Sequence, residues 1–183
     1  MEKRYPESDV EVWSMDEHRL GLKPVLRKEW VDEYSNATAK INWKFQWLWL
    51  YGFVQPGTGE TYWWLLPFVN IELFSRVLKD FACHFQIGSK KRVLLVIDQA
   101  GWHLSKEVKI PEGIHLHNLP SHSPQLQPAE RLWPLTNEPI ANRSFKSLDE
   151  LENVSYERCK KLLDQKQLIK GLTQFHWWPK TKA

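Results

Sequence analysis

Cysteine is scarce in this sequence, and long apolar runs are missing. Only two cysteines occur among 183 residues, Cys83 and Cys159, and they share no CxxC spacing. This scarcity excludes a disulfide scaffold and favours a reducing compartment. The longest apolar stretches contain charges or prolines and are too short to span a bilayer, so we expect no contact with a membrane. Residues Met1–Pro6 lead into acids rather than into the apolar segment of a signal peptide.

Tryptophan, in contrast, is abundant, with 11 residues in a composition that is otherwise ordinary for a globular domain. We expect most of these rings in the core, although exposed ones could stack on nucleic-acid bases. The net charge is +3 at pH 7 and is partly clustered at Lys90–Arg92 and Arg27–Lys28. Such clusters attract phosphates but also occur on ordinary solvated faces, so nucleic acid is a permitted partner and not a required one.

Hydrophobic periodicity predicts strands in the first part of the chain and helices in the last. The predicted strands are Val10–Asp16, Lys44–Val54, Thr61–Phe68, Val93–Asp98 and Ile114–Leu119. The predicted helices are one capped by Asn70 and ended by Gly88 and Ser89, a short one at Ser105–Val108, one from Pro128, and one at Leu148–Leu163. A tight loop is predicted at Glu17–Leu22.

This order of elements predicts an α/β fold with a mixed five-stranded sheet flanked by helices. The Pro/Gly turn Gln55–Gly59 is short enough to join two strands as an antiparallel hairpin. The apolar run Val93–Asp98 is typical of a strand buried on both faces. We expect residues 1–183 to form one domain, with a core at about 10–145 and a C-terminal helical extension at about 146–183.

Three acidic residues stand where the side chains of a sheet and a helix can converge. Asp16 ends the first predicted strand, and Asp98 ends the buried one. Glu130 falls in the first turn of the helix that Pro128 begins. Acids at such strand ends often line ligand sites, and converging carboxylates are hard oxygen ligands for metal ions.

Two of these acids, Asp16 and Glu130, also have a plainer interpretation. Asp16 can be a turn residue, with its neighbour Glu17 as a rival for any role at a site. Glu130 can be an ordinary first-turn acid that is favoured by the helix dipole. Its rival Glu138 lies beyond Pro134, which must distort or restart the helix.

The segments around the three acids resemble the motifs of a known family. Met15–Gly21, Val96–His103 and Ser123–Trp133 are similar to the three acidic motifs of DDE transposases, above all those of the bacterial insertion-sequence branch of the mariner-like superfamily. The resemblance covers about residues 10–145 and implies a ribonuclease H-like fold. One departure is Gln125–Gln127, where the family usually has Asp-Leu-Asn or Glu-Leu-Asn. These residues shape a turn and are not metal ligands.

The resemblance implies a metal-dependent endonuclease that cleaves double-stranded DNA and transfers strands at insertion-sequence ends. It implies that Asp16, Asp98 and Glu130 are the catalytic residues and hold Mg²⁺, with Mn²⁺ as a substitute and two ions expected. Asp98 would bridge both ions, Asp16 would bind one, and Glu130 would complete the second site. Two other functions stay open: another ribonuclease H-like nuclease, and a repurposed remnant that binds DNA without catalysis.

The resemblance also has implications for partners. Family transposases carry a helix-turn-helix region upstream of the first acid, and here only fifteen residues precede Asp16. We therefore expect this domain to be absent and to be supplied by a separate segment or reading frame. A homodimer on DNA is also expected, in the cytoplasm and associated with the nucleoid when DNA is bound.

His103, His122 and Arg131 are predicted to contact DNA because they lie within or beside the acidic motifs. For His103, which follows Asp98 by five residues, the alternative is a hydrogen-bonded loop histidine. The loop Pro120–Pro124 either contacts DNA or only sets the entry angle of the following helix.

Two further features of the sequence favour structural interpretations. Trp133 is expected to pack against the protein rather than stack on bases. His115 and His117 share one face of a strand, but a zinc site there is disfavoured because no further Cys/His pattern accompanies them.

Overall fold

The protein consists of a central sheet with helices on its two faces. The computed structural model describes residues 1, 4–28, 30, 32 and 44–179, so residues 180–183 of the predicted extension lie outside the described residues. The strands are β1 (Asp9–Gly21), β2 (Trp47–Gln55), β3 (Glu60–Leu66), β4 (Lys91–Ile97) and β5 (Ile114–Asn118). The helices are α1 (Ile71–His84), α2 (Trp133–Asn137), α3 (Leu148–Leu163) and α4 (Lys166–Thr173), and 3₁₀ helices at Pro124–Leu126 and Pro128–Leu132 precede α2.

The strands form one mixed five-stranded sheet in the order β3-β2-β1-β4-β5, which confirms the predicted fold class. β2 pairs antiparallel with β3 through the Gln55–Gly59 turn, as the hairpin prediction required. β4 is parallel to both β1 and β5. β1 is central because it pairs with β4 on one side and antiparallel with β2 on the other.

β1 is longer than the sequence predicts. The strand continues to Gly21, so the prediction of a tight loop at Glu17–Leu22 is wrong. Leu20 and Leu22 are buried, and Glu17–Gly21 pair in register with Trp47–Tyr51 of β2. This pairing satisfies the backbone groups of a segment whose charged residues suggested a loop.

The predicted start of α1 and the role of Pro134 are confirmed. The side chain of Asn70 accepts a hydrogen bond from the backbone N–H of Leu73 at 2.7 Å, as a helix cap does. α1 ends at His84, earlier than predicted, and the chain leaves it through a left-handed residue, Gln86, with φ of 55°. Pro134 lies in the first turn of α2, where the preceding 3₁₀ helix gives way to a new helix that begins at Trp133, because Pro134 has no N–H to continue the earlier one.

Two elements of the last part differ from prediction. The short helix predicted at Ser105–Val108 is wrong, since that segment is a turn closed by a 3.3 Å hydrogen bond from Val108 N–H to the carbonyl oxygen of Ser105. α4 is a further helix that the sequence analysis did not predict, and it buries Ile169 and Thr173. α3 has the predicted bounds, and Ser147 caps it.

Each face of the sheet has its own hydrophobic core. α1 covers one face and packs on Trp13, Met15 and Phe53. α2, α3 and α4 cover the other face and pack around Leu20 and Leu50. Side chains alternate along a strand, so neighbouring residues of β1 contribute to different cores.

The tryptophans are divided between core and surface, so the expectation that most of them lie in the core is met only in part. The buried ones are Trp13, Trp133 and Trp178, and the exposed ones are Trp30, Trp47 and Trp177. Trp49, Trp63, Trp64 and Trp102 are half-buried, and Trp43 lies outside the described residues. None of the helices in the described ranges is long and apolar enough to cross a bilayer.

Candidate active site

A cavity of about 380 Å³ opens at the carboxyl end of β4 and is lined by all three predicted acids, Asp16, Asp98 and Glu130. β1 and β4 pair in a constant register from Asp9 opposite Lys91 to Ser14 opposite Val96. Carried two residues further, this register places Asp98 beside Asp16. The parallel pairing therefore brings together two acids that are far apart in the sequence.

Asp16 lies on the β1 face that α2 covers, and it is only 9% exposed. Its Oδ2 accepts a hydrogen bond from Nε1 of Trp133 at 3.1 Å, so Trp133 packs against the protein as predicted. Burial, together with repulsion from Glu17 and Glu130, raises the pKa of Asp16 to about 7. The hydrogen bond from Trp133 acts in the opposite direction and does not offset the burial.

Asp98 directly follows β4 and is anchored through one carboxylate oxygen. Oδ1 accepts hydrogen bonds from the backbone N–H of Ala100 at 3.0 Å and from Nδ1 of His103 at 2.7 Å. The hydrogen bond from His103 lowers the pKa of Asp98 and outweighs the effect of partial burial. The side chain is 51% exposed, and within the described residues Oδ2 accepts no hydrogen bond. Oδ2 is therefore available to a ligand in the cavity.

Glu130 lies in the 3₁₀ helix Pro128–Leu132, half-buried at the cavity wall. The predicted first-turn position is correct, although the turn is 3₁₀ rather than α-helical. Burial raises the pKa of Glu130, and the charge of Asp98 adds to this against the opposing charge of Arg131. Its rival Glu138 lies outside the cavity lining and forms an ion pair with Arg158.

Gln127 ties the segment that carries Glu130 to β1, a contact that sequence reasoning missed. Gln127 is 3% exposed, and its Nε2 donates to the carbonyl oxygen of Met15 at 2.9 Å. The hydroxyl of Ser14 donates to Oε1 of Gln127 and accepts the backbone N–H of Ala129 at 3.2 Å. The position of Gln127 within the third motif was the only sequence signal for this role.

His103 is buried, which does not fit the DNA contact predicted for it. Nδ1 donates to Oδ1 of Asp98 at 2.7 Å, and Nε2 lies 2.8 Å from Oε1 of Glu17. The structure shows the alternative interpretation, a hydrogen-bonded loop histidine that is 4% exposed. Burial alone would lower the pKa of His103, but the hydrogen bonds to Asp98 and Glu17 raise it to about 9.

Glu17, Asp98 and His103 also form the group of metal-type ligands that lie within 4.8 Å of one another in the described part of the chain. The three predicted acids do not form so tight a group, so at least one distance among them is longer. The tight trio already satisfies its own charges, since His103 hydrogen-bonds to both carboxylates.

The donor set of the cavity fits a divalent cation. Three carboxylates face one half-open space, and repulsion among them contributes to the raised pKa values of Asp16 and Glu130. A cation between them would relieve this repulsion. Hard oxygen donors with an open side suit Mg²⁺ or Mn²⁺, which keep part of their coordination sphere for water and phosphate.

The other two predicted DNA contacts are exposed. His122 lines the cavity in the loop Pro120–Pro124, with a left-handed backbone of φ 56°. Arg131 lies outside the cavity lining, with its guanidinium 5.5 Å from the ring centre of Phe175.

His115 lies near positively charged groups. Burial and the charges of Arg92 and Arg4 lower the pKa of His115. Among the described residues, the group of three or more metal-type ligands does not include His115 or His117.

Sequence comparisons agree with the three motifs. The family described as DDE superfamily endonuclease matches residues 11–152. The uncharacterized protein y4pE/y4sA of Sinorhizobium fredii (strain NBRC 101917 / NGR234) is 30% identical over 132 residues, which make up 72% of this chain and 96% of that protein.

Two solved structures are similar in fold. The Mos1 mariner paired end complex with Mn has a TM-score of 0.56 and 17% identity, over 96% of this chain and 60% of that one. The mariner Mos1 paired end complex with Mg has a TM-score of 0.56 and 18% identity, over 92% of this chain and 57% of that one. This chain spans less than two thirds of the length of either. At these identities the likeness shows the fold alone, and it confirms the predicted ribonuclease H-like architecture.

The matched residues 11–152 make up more than half of the chain and include Asp16, Asp98 and Glu130. The resemblance of the three motifs is thereby confirmed over the segment that builds the cavity. This chain belongs to the DDE superfamily endonuclease family.

Proposed function

We propose that this DDE endonuclease is the catalytic domain of a transposase of the bacterial insertion-sequence type. It would cleave double-stranded DNA at the ends of an element and transfer the cut strands. The observation that carries the proposal is the convergence of Asp16, Asp98 and Glu130 on one cavity. Support comes from the fold shared with Mos1 mariner complexes that contain Mn and Mg.

The three carboxylates would act together on the scissile phosphate. Two Mg²⁺ ions held there, or Mn²⁺ in their place, would activate the attacking oxygen and stabilise the leaving one. Asp98 lines the cavity with Oδ1 anchored, which would leave Oδ2 to bind a cation. Asp16 faces the cavity from β1, and Glu130 faces it from a segment that Gln127 ties to the same strand.

The surface around the cavity suits contact with a DNA backbone. His122 is exposed in the cavity wall, and Arg131 is exposed beyond its edge, so both can reach phosphates of a bound duplex. Phosphate contacts position a duplex without reading its sequence. Recognition of element ends therefore falls to a separate helix-turn-helix segment, and a homodimer would hold two ends together.

The test is a pair of assays on purified protein, plasmid nicking and joining of a pre-cut element end to target DNA. We expect both activities with Mg²⁺ or Mn²⁺ and neither with EDTA. Preferential cleavage of an RNA–DNA hybrid would instead identify a ribonuclease. DNA binding without metal-dependent cleavage of any substrate would contradict catalysis and identify a repurposed DNA-binding protein.

A further inference from the structure

A second cluster of charged side chains lies behind Asp98, on the sheet face that α1 covers. Glu17 and His103 form an ion pair there, with side chains only 3% and 0% exposed. Nε1 of Trp102 donates a hydrogen bond to Oε1 of Glu17 at 3.1 Å. Burying two ionisable groups is unfavourable unless each is paired, so an enclosed pair of this kind needs a structural or functional reason.

The geometry of this cluster fixes how the imidazole of His103 is placed. Its two ring nitrogens lie 2.7 and 2.8 Å from carboxylate oxygens of Asp98 and Glu17, which can only accept hydrogen bonds. The two contacts lie on different nitrogens of the ring, so together they fix its orientation between the two carboxylates. The ring of Phe74 packs at 4.5 Å between ring centres, so the imidazole is held by packing as well.

The consequence of this arrangement falls on Asp98. Its Oδ1 is held by His103 from behind and by the N–H of Ala100. Its Oδ2 accepts no hydrogen bond from the described residues, and Asp98 lines the cavity. Glu17 thereby links β1 to the end of β4, and the adjacent residues Asp16 and Glu17 act on opposite sides of the sheet.

We propose that Glu17 and His103 are positioning residues, which orient the Asp98 carboxylate so that Oδ2 alone is presented to a divalent cation in the cavity. This inference rests on the proposed function, since it requires that Asp98 bind the metal. Outer-shell partners of this kind affect metal affinity by about 10–100-fold when they are removed.

The experiment measures binding of Mn²⁺ to the full chain without DNA, by electron paramagnetic resonance of the free ion. Glu17→Gln and His103→Gln should each weaken Mn²⁺ binding by about 10–100-fold. Because both act through one chain of hydrogen bonds, the double variant should be weaker than either single variant by no more than about twofold. Nicking by the single variants should recover as the Mn²⁺ concentration is raised.

Glu11→Gln is a matched control on the same strand. Glu11 also accepts a hydrogen bond from an indole, that of Trp13 at 2.8 Å, and pairs with a cation, Lys91 at 2.9 Å. Glu11 lies outside the cavity lining, so the Glu11→Gln variant should bind Mn²⁺ with the same affinity as the unchanged chain. If Glu17→Gln does not fold, Trp102→Phe removes one donor to Glu17 and should still weaken binding severalfold.

Asp98→Asn separates the two proposals. If Asp98→Asn leaves Mn²⁺ binding unchanged, the metal site is wrong and both proposals are overturned. If Asp98→Asn abolishes binding while Glu17→Gln, His103→Gln and Trp102→Phe bind as tightly as the unchanged chain, only the positioning role is overturned. If these three variants melt at a lower temperature but bind Mn²⁺ with unchanged affinity, the positioning role is likewise overturned, because the residues then have a purely structural role.

Discussion

At the scale of single residues, the site holds acids whose ionisation is tuned in opposite directions. Burial raises the pKa of Asp16 to about 7, whereas the hydrogen bond from His103 lowers the pKa of Asp98. Near neutral pH, Asp98 of the metal-free protein is therefore ionised, whereas Asp16 is protonated in part of the molecules. A bound cation competes with that proton, so metal affinity and pH are linked.

The first prediction concerns Asp98. Asp98→Asn keeps the shape of the side chain but removes the charge placed to hold metal. We expect strand cleavage to fall by at least about 10²-fold, because metals supply several kcal/mol of transition-state stabilisation. Plasmid nicking measures the loss, and circular dichroism checks that the fold is intact. Nicking at the original rate would show that Asp98 is not a ligand.

The second prediction distinguishes two glutamates. Glu130→Gln should abolish cleavage, because Glu130 lines the cavity. Glu138→Gln should leave most of it, because Glu138 is 62% exposed and pairs with Arg158 outside the cavity lining. The loss of that surface ion pair should reduce stability by no more than about 1 kcal/mol. The assignment of the third acid fails if the two variants exchange behaviour in the nicking assay.

The third prediction concerns pH and Asp16. The pKa of Asp16 is 3.8 when unperturbed and about 7 in the folded chain, so between these values the folded state binds the extra proton. Stability of the metal-free protein should therefore decrease from about pH 4 to pH 7 because of this group. Asp16→Asn should remove that decrease and stabilise the protein at pH 8 by on the order of 1–4 kcal/mol.

Urea unfolding in EDTA at pH 5 and pH 8 measures this effect. Asp98→Asn is the control of opposite sign, because the pKa of Asp98 is lowered and its charge is stabilised by His103. It should gain no stability at pH 8. Equal stabilities of Asp16→Asn and the unchanged chain at both pH values would show that Asp16 ionises freely.

The three acids could be predicted because each stands in a short motif that is readable along the chain. Gln127 and the pair Glu17–His103 could not be predicted, because their partners are far away in sequence and are brought together only by tertiary packing. A buried amide or ion pair has no periodicity to reveal it. His103 was noticed for its distance from Asp98, but only the structure shows that it lies behind that acid.

At the scale of elements, β1 shows what pattern reading can and cannot provide. Its alternating first half is readable as a strand, but its second half carries charges and a histidine that resemble a loop. Pairing with β2 outweighs this local preference. α4 was missed although Leu168, Ile169 and Leu172 recur at helical spacing, because a helix of only eight residues is marginal without tertiary packing.

The fourth prediction concerns the turn between β2 and β3. Gly59 has φ of 77°, and a Cβ there would lie 1.9 Å from the carbonyl oxygen of Lys166 at the start of α4. Gly59→Ala should reduce the free energy of unfolding by at least about 2 kcal/mol, through backbone strain and displacement of α4. Gly57→Ala in the same turn meets nothing within 4 Å and should change it by less than about 0.5 kcal/mol.

Urea titration of both variants provides the measurement. Equal losses would mean that the turn, and not its contact with α4, determines the effect. A loss confined to Gly59→Ala would agree with the positive φ of Gly59 and its close contact with Lys166.

At the scale of the whole molecule, the mixed sheet and its two covered faces were predictable from the order of strands and helices. The strand order was predictable only through the family resemblance, because periodicity does not say which strands become neighbours. The cavity depends on that order, since the β1–β4 pairing brings Asp16 to Asp98. A prediction of the site therefore requires a correct prediction of the strand order.

The fifth prediction concerns DNA binding by this chain on its own. All four described helices pack on the sheet or beside it, and exposed basic residues offer phosphate contacts. We therefore expect weak binding that decreases steeply with salt and hardly distinguishes element ends from scrambled DNA. A binding titration near physiological salt tests this. A preference above roughly 10³-fold for end DNA would place recognition within this domain.

The double pairing of β1 also has a consequence for folding during synthesis. The β2–β3 hairpin forms between neighbouring segments. The β1–β4 pairs instead join Asp9–Ser14 to Lys91–Val96, with β2, β3 and α1 between them in the sequence. Contacts between residues close in sequence form early and distant ones late. During synthesis we therefore expect one edge of β1 to stay unpaired until β4 has left the ribosome. Asp16 and Asp98 are then brought together when β4 pairs with β1. At that point α1 and the hairpin have emerged, whereas β5, the 3₁₀ helices and α2–α4 have still to follow, so the two aspartates are in place before Glu130 joins them.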